Sequence, residues 1–501
     1  MPPRNTPLWF TDDADFDRCR DVFERIGYRD VDIAALLGVT AETLSAAKGV
    51  AAQFARTEGS PLGTLVRVLL MGATVSERDL AAAIAPMSTR TWHDAGLIVL
   101  DGDIARPLIQ LLPLPGPLRL AGDLPLRRDG SLDLPEDFVM GVARSTLSLA
   151  AATVRRPIAA ALDLGTGSGY HALHAARHAT RVLGVDRNAR AIGFARFNAR
   201  LNGAPNAEFR EGNLFEPAAN ARFDLIVTNP PFVITPGRQF IYRDSGMAGD
   251  EIVETICRAA PRHLNSGGYC QLIGNWAHLK GRDWRDRLRT WFTGSGCDVW
   301  IMRSETLDAA AYASFWIRHT IGPESDGPDG VYNQWLAEYE RLGIEAVSLG
   351  MIFMRRRESA ANWFRVQDEP AKIVGPFGHH VERAFDNSDF LAALRADDDL
   401  LDAHLRLAPD VRAVTELAPG PREWTPIDTT LSLSSGLCYL GGADGHILKL
   451  LAECDGTRPL REPLAKMCRA LMRDADDVTP GALHIVRTML EQGLLLAPER
   501  T

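Results

Sequence analysis

Residues 161–170 read ALDLGTGSGY, an apolar run that breaks into three glycines spaced two apart and then into a helical pattern. A short apolar run fits a buried strand, and Gly165, Gly167 and Gly169 permit the sharp bend and close main-chain approach that a strand-to-helix turn around a ligand needs. One glycine turn decides little alone; its neighbours decide the fold. RVLGVD (181–186), AEFREG (207–212), FDLIVTN (223–229) and GYCQLIGNW (268–276) are strand-like, with Ala- and Arg-rich helical patterns between them. Strand and helix in alternation predict a parallel sheet covered on both faces. CDVWIMR (297–303) and AVSLGMIFMRR (346–356) complete it, with helices near 307–318 and 330–342 inserted. The expected fold class is α/β, a doubly wound, mainly parallel sheet.

At 501 residues the chain holds several domains, and flanking segments differ from this centre. Residues 16–58 carry helical spacing, with a helix start at Thr40/Glu42. GTLVRVLLMG, VSERDLAAAIA and STRTWHDAG then precede the alternating run LIVLDGDIARPLIQLLPL. Three short helices and a hairpin outline a winged helix. Its third helix, about 88–96, offers nucleic acid only Arg90 and His93, so a packing or substrate-gating role is preferred to DNA binding. From about 390 short helices and a hairpin return. The expected division is 1–125, helical and winged-helix-like; 126–385, the α/β domain; and 390–501, a winged-helix-like module.

Charge separates these parts. The first 125 residues carry 12 Lys/Arg against 16 Asp/Glu, the last 112 carry 12 against 17, and the middle is neutral within a net charge of −9. Nucleic-acid modules usually cluster positive charge, which neither flank does. The seven cysteines are scattered without a CxxC pair, which argues against a zinc knuckle, and the adjacent His379 and His380 are poorly spaced to share a metal. No metal site is expected. The chain opens with MPPRNTPLWF rather than a basic, then apolar, leader, and apolar runs break before membrane-spanning length, so a cytoplasmic location is expected.

The chemistry-bearing residues fall at strand ends. Asp163 begins DLGTGSG, in which Thr166 stands between the first two glycines. Asp186 ends the next strand, followed by Arg187, where a carboxylate accepts hydrogen bonds from a ribose diol. These features alone suit a dinucleotide as well as S-adenosylmethionine. Asn213 and Leu214 follow the third strand, where a side-chain amide can hold an adenine edge. The fourth ends in Asn229-Pro230-Pro231-Phe232. Ligands of open α/β sheets bind at the carboxyl ends of the strands, so these residues converge on one crevice.

Prolines cannot donate to a sheet ladder, so NPPF ends a strand and serves something else. Methyl transfer to a planar nitrogen requires its lone pair to leave conjugation and face an electrophilic methyl. The Asn229 side-chain oxygen and the Pro230 carbonyl are acceptors for the two N–H groups, the prolines fix the backbone that aims them, and Phe232 offers a ring for stacking.

DLGTGSG together with VTNPPF resembles the class I S-adenosylmethionine-dependent methyltransferases of the methyltransferase-small group, over roughly 136–276. That group includes glutamine-N5 methyltransferases of release factors and guanine-N2 or adenine-N6 methyltransferases of RNA. The resemblance implies S-adenosyl-L-methionine as cofactor, an N-methyltransferase domain at 126–385, and a macromolecular acceptor, protein or RNA. Acidic flanks lean the expectation to a protein or peptide glutamine; a ribosomal RNA base, a natural product and, least favoured, a non-enzymatic DNA-binding regulator are the alternatives. It also implies that Ser145 and Thr146, in DFVMGVARSTLSLAAATVRRP, lie near the methionine moiety. Asn213 stands where Asp is commoner, and Phe232 where release-factor enzymes carry Tyr. Tyr242–Gly246 is a second candidate acceptor wall. Lys280, Arg282, Arg285, Arg287 and Arg289, interleaved with Trp284 and Trp291, suit either RNA contact or, more simply, an amphipathic helix packing its tryptophans.

Overall fold

The computed structural model describes residues 8–40, 51–124, 134–237, 240–320, 330–357 and 362–498. Its centre is an eight-stranded sheet of β1 (Ile158–Leu164), β2 (Ala179–Asp186), β3 (Ala207–Glu211), β4 (Phe223–Thr228), β5 (Leu264–Leu279), β6 (Cys297–Asp308), β7 (Ile344–Arg356) and β8 (Phe364–Asp368). The order across the sheet is β8-β6-β7-β5-β4-β1-β2-β3. The run from β3 to β5 is parallel, whereas β7 lies antiparallel to β5 and β6. Leu162, Ile226, Leu272 and Ile352 are buried at its middle, as strands covered on both faces require. Helices α1 (Tyr170–Ala175), α2 (Ala189–Leu201), α3 (Glu251–Ala259), α4 (Trp284–Trp291), α5 (Ala309–Thr320) and α6 (Val331–Leu342) follow individual strands.

Register brings the site together. Leu164 pairs with Val185 on one side and Thr228 on the other, and Asp186 pairs with Glu211. Gly165, Asp186, Gly212 and Asn229 therefore start from neighbouring strand ends. β5 runs past the end of β4: Tyr269–Leu272 pair with both β4 and β7, and Gly274 to Leu279 continue along β7.

The described chain forms two compact units, Met1–Leu149 with Arg156–Val366, and Ala150–Arg155 with Gln367–Thr501. Residues on either side of 125 thus share the first unit, and packing explains it. Phe197 of α2 meets Phe10 and Phe16, with ring centroids 6.1 and 5.4 Å apart. Buried Asn198 exchanges hydrogen bonds with the backbone of Ala121, and Asn202 does the same with Arg119. An α/β helix that spends its amides on the hairpin of strands Ile109–Pro113 and Arg119–Asp123 leaves no separable boundary there.

Within that unit, Ser76 and Ser88 cap helices Glu77–Ile84 and Thr89–Asp94. Strands Val75–Ser76, Ile104–Pro107 and Ile98–Asp101 form a three-stranded sheet beside them. Arg90 pairs with Asp94, and His93 accepts the Leu100 N–H. The helix start expected at Thr40/Glu42 runs into 41–50, outside the described residues; Ala51–Arg56 is helical.

The second unit packs helices Gly378–Ala393, Arg461–Leu471 and Ala475–Glu491 around Leu400, Leu431, Leu464, Leu483 and Leu490. His380 is committed at both nitrogens: Nδ1 accepts the Leu437 N–H and Nε2 meets the Asp410 carboxylate at 3.0 Å. Burial, reinforced by Arg383, lowers its pKa to about 4. The ring is a neutral link, and with Asp410 and the exposed His379 it forms a group whose ligand atoms all lie within 4.8 Å of one another, close enough to hold a metal ion.

Candidate active site

A cavity of about 260 Å³ opens at the carboxyl ends of β1, β2, β3 and β4. Gly165 and Gly167 line it with left-handed φ of 71° and 54°. A Cβ at Gly167 would meet no atom within 4 Å, so the loop leaves room over its backbone for a bound group. Thr166 lines the cavity as well, and its hydroxyl donates to Asp163 at 2.6 Å.

Two expected ligand contacts lie outside the cavity lining. Asp163 is 1% exposed beneath the loop, where one carboxylate oxygen accepts from Thr166 and from the Ala172 N–H of α1. It fastens the loop from below rather than facing the ligand. Among the described residues its other oxygen has no hydrogen-bond partner, and burial, opposed by those hydrogen bonds, raises its pKa to about 7. Gly169, at φ 90°, is a packing glycine: a Cβ there would approach the Ala195 backbone of α2 at 3.2 Å.

Asp186 lines the cavity. Its two oxygens accept the Gly167 and Asn188 N–H groups at 2.8 and 2.9 Å, and burial raises its pKa against the pull of those bonds. The cap of α2 is Asn188, whose side chain accepts from Arg190, so Asp186 is released from capping. Each carboxylate oxygen keeps a lone pair for a further donor. Asn213 and Leu214 line the same end, and Leu214 adopts φ 46°, one of two non-glycine residues with positive φ among those described. Such strain persists only where surroundings impose it, and it is frequent at binding sites. Space above Gly167, free lone pairs on Asp186 and the amide of Asn213 together fit a ribonucleoside, consistent with S-adenosylmethionine. Arg187 lines the cavity too, and its guanidinium donates to the carbonyls of Ser245 and Asp244 at 3.3 and 3.2 Å, so it also holds a loop.

At the opposite end, Asn229 donates its side-chain NH₂ to the hydroxyls of Ser145 and Thr146, at 3.2 and 3.3 Å. With nitrogen so engaged, Oδ1 is left as an acceptor at the cavity. Ser145 and Thr146 line the cavity as expected and also orient this amide. Pro230, Pro231 and Phe232 line it too; the Phe232 backbone bridges to Asp244, and its ring meets Trp316 edge-on at 6.4 Å. Ile234, two residues on, is pinned by α5 and α6: its N–H donates to the Tyr312 hydroxyl at 3.1 Å and its carbonyl accepts from the Tyr339 hydroxyl at 2.8 Å.

Phe138–Gly141 and Ala143, in the segment quoted above with Ser145 and Thr146, line the cavity as well, as do Ile252 and Trp316, which carry no local sequence signal. Tyr242, Arg243 and Ser245 also line it, in the segment singled out after NPPF. The basic stripe is a packed helix. Trp284 and Trp291 are buried, Arg285 and Arg289 stack at 4.5 Å on Trp284 and Phe364, and Arg287 binds Asp250 and the Ala277 carbonyl. Neither tryptophan offers an exposed face for a base.

Residues 145–293 match the family model described as the methyltransferase small domain. Domains of unknown function match the flanks, DUF7059 over 25–108 and DUF7782 over 382–497. A release factor glutamine methyltransferase of Geobacter sulfurreducens is 42% identical over 130 residues, 23% of this chain and 45% of that protein. A ribosomal protein uL3 glutamine methyltransferase of Bradyrhizobium diazoefficiens is 36% identical over 132 residues, 24% of this chain and 41% of that protein. Ribosomal RNA small subunit methyltransferase C of Escherichia coli is 33% identical over 116 residues, 23% and 30% of the two. The chain thus spans less than half the length of these three relatives. With the strand order above, the central domain has the class I methyltransferase fold.

Proposed function

We propose that this chain, whose residues 145–293 form a methyltransferase small domain, is an S-adenosylmethionine-dependent N-methyltransferase acting on a planar amide or exocyclic amine of a macromolecule, a protein glutamine first. The observation that carries this reading is the Asn229 amide. Its NH₂ is taken by Ser145 and Thr146, so Oδ1 accepts one N–H of the acceptor while the Pro230 carbonyl accepts the other. Two acceptors on one nitrogen hold its lone pair out of conjugation and stabilise the positive charge that develops there. Phe232 and Trp316 wall the planar group. Asp186 accepts from the ribose hydroxyls, and the glycine loop leaves space for the chain beyond. The cofactor supplies the electrophilic methyl. No strong base is needed, because a methylated ammonium-like nitrogen is acidic enough to lose its proton to water.

Glutamine methyltransferases among the relatives and acidic flanks favour a protein acceptor. An RNA exocyclic amine is the second reading, supported by the ribosomal RNA relative; the buried Trp284 and Trp291 weigh against it. Among the described residues no helix is long and apolar enough to cross a membrane, and we place the reaction in the cytoplasm as part of the same reading. The test is transfer of labelled methyl from S-adenosylmethionine into an extract lacking the protein, followed by protease or ribonuclease. Protease-sensitive label is expected; ribonuclease-sensitive label would move the reading to RNA, and no label would refute it.

A further inference from the structure

Two backbone segments roof the cavity: 138–143, and the 241–247 stretch after NPPF. They are joined to each other, since the Ile241 N–H donates to the Glu136 carbonyl at 3.0 Å and the Phe138 and Tyr242 rings meet at 5.8 Å. Both are also tied to a single turn. Arg187 forks onto the carbonyls of Asp244 and Ser245. Asn188 donates to the Asp137 carbonyl at 3.0 Å, and Arg190 grips Asp123, at 2.7 and 2.8 Å, whose own carboxylate accepts the Val139 N–H. The residue that begins this turn is Asp186, already hydrogen-bonded to the glycine loop through Gly167. Asp244 in turn bridges to Phe232.

We propose that the Asp186–Arg190 turn couples cofactor occupancy to ordering of the acceptor wall, with Arg187 as the positioning residue. The inference rests on the reading of Asp186 as the ribose partner. A diol bound to Asp186 fixes the turn, and the fixed turn holds the carbonyls of Asp244 and Ser245, and with them the strand bridge to Phe232, in the geometry that receives the planar nitrogen. Cofactor therefore tightens acceptor binding, and by reciprocity a bound acceptor tightens cofactor binding by the same factor. Arg187 is an exposed residue, so its removal leaves two carbonyls that water can satisfy and a chain that still folds.

The test compares wild type, Arg187→Ala and Arg187→Lys by hydrogen exchange of the amides in 240–247, with and without saturating S-adenosylhomocysteine. In wild type the probe is expected to slow exchange there about tenfold, within the usual range of site-to-site coupling. Arg187→Ala should bind the probe within about fivefold of wild type yet lose that probe-dependent protection, with the acceptor KM rising more than kcat falls; Arg187→Lys, reaching one carbonyl, should fall between. A residue serving only to brace the loop would change exchange equally with and without the probe. Full probe-dependent protection in Arg187→Ala, or none in wild type that binds the probe, overturns the coupling. Failure of wild type to bind the probe at all overturns the reading of the site beneath it.

Discussion

The glycine loop and the 240–247 segment face the same cavity, yet they differ in how far along the chain their contacts reach. The loop is set by its own backbone: Gly165 and Gly167 at positive φ, Asp163 clamping Thr166 and Ala172 within nine residues. The 240–247 segment has local contacts of its own, Asp244 accepting the Phe240 N–H, but it is also held from far along the chain, by the Arg187 side chain at β2's end and by the Glu136 backbone carbonyl. On the proposed reading, a ligand common to many acceptors meets a local motif, whereas the acceptor meets a wall assembled from several parts of the chain.

Breaking the cofactor side should give a large effect on affinity alone. Asp186→Ala removes two backbone hydrogen bonds and the diol acceptor, and cofactor affinity is expected to fall about 100-fold, from charged hydrogen bonds of ~1.5–3 kcal/mol each, while kcat at saturation changes little. Isothermal titration beside steady-state rates checks this; unchanged affinity would take Asp186 out of the cofactor site. Freeing the Asn229 amide is the next step. Ser145→Ala with Thr146→Ala should cut kcat about tenfold without a matching loss of cofactor affinity, as expected for groups that orient a catalytic amide. A fall in affinity alone would return both hydroxyls to the cofactor.

The smallest effect concerns pH. Asp163 titrates near 7 in the fold against 3.8 as a free side chain, so it contributes stability that is full below about 4 and is lost as pH rises through 7. Asp163→Asn should flatten that dependence by on the order of 1–3 kcal/mol, read from denaturant midpoints at pH 5 and pH 8. An equal pH dependence in both proteins would mean that the carboxylate stays ionised throughout.

The same contrast explains what the sequence made legible. DLGTGSG, the β2 carboxylate and NPPF announce themselves because each is a few contiguous residues whose backbone demands are visible in the letters. Strand alternation then places them, since register aligns Leu164, Val185 and Thr228 without further information. Asp163 and Gly169 belong to the same motif but serve packing, a distinction of facing that spacing does not encode. Trp316 and Ile252 reach the cavity only through the path of the chain, and Arg187 was legible as a neighbour of Asp186 but not as the holder of a loop 57 residues away. In the basic stripe the periodicity of an amphipathic helix and the composition of an RNA surface coincide, and burial of Trp284 and Trp291 separates them.

The most direct test of the account is Asn229→Ala, assayed in parallel for S-adenosylmethionine affinity and for methyl transfer to the labelled acceptor. Loss of one preorganised acceptor at the reacting nitrogen predicts a fall in turnover of about 10²–10³-fold with cofactor affinity within a few-fold of wild type. Full turnover in Asn229→Ala, at unchanged cofactor affinity, would contradict the proposed role of NPPF.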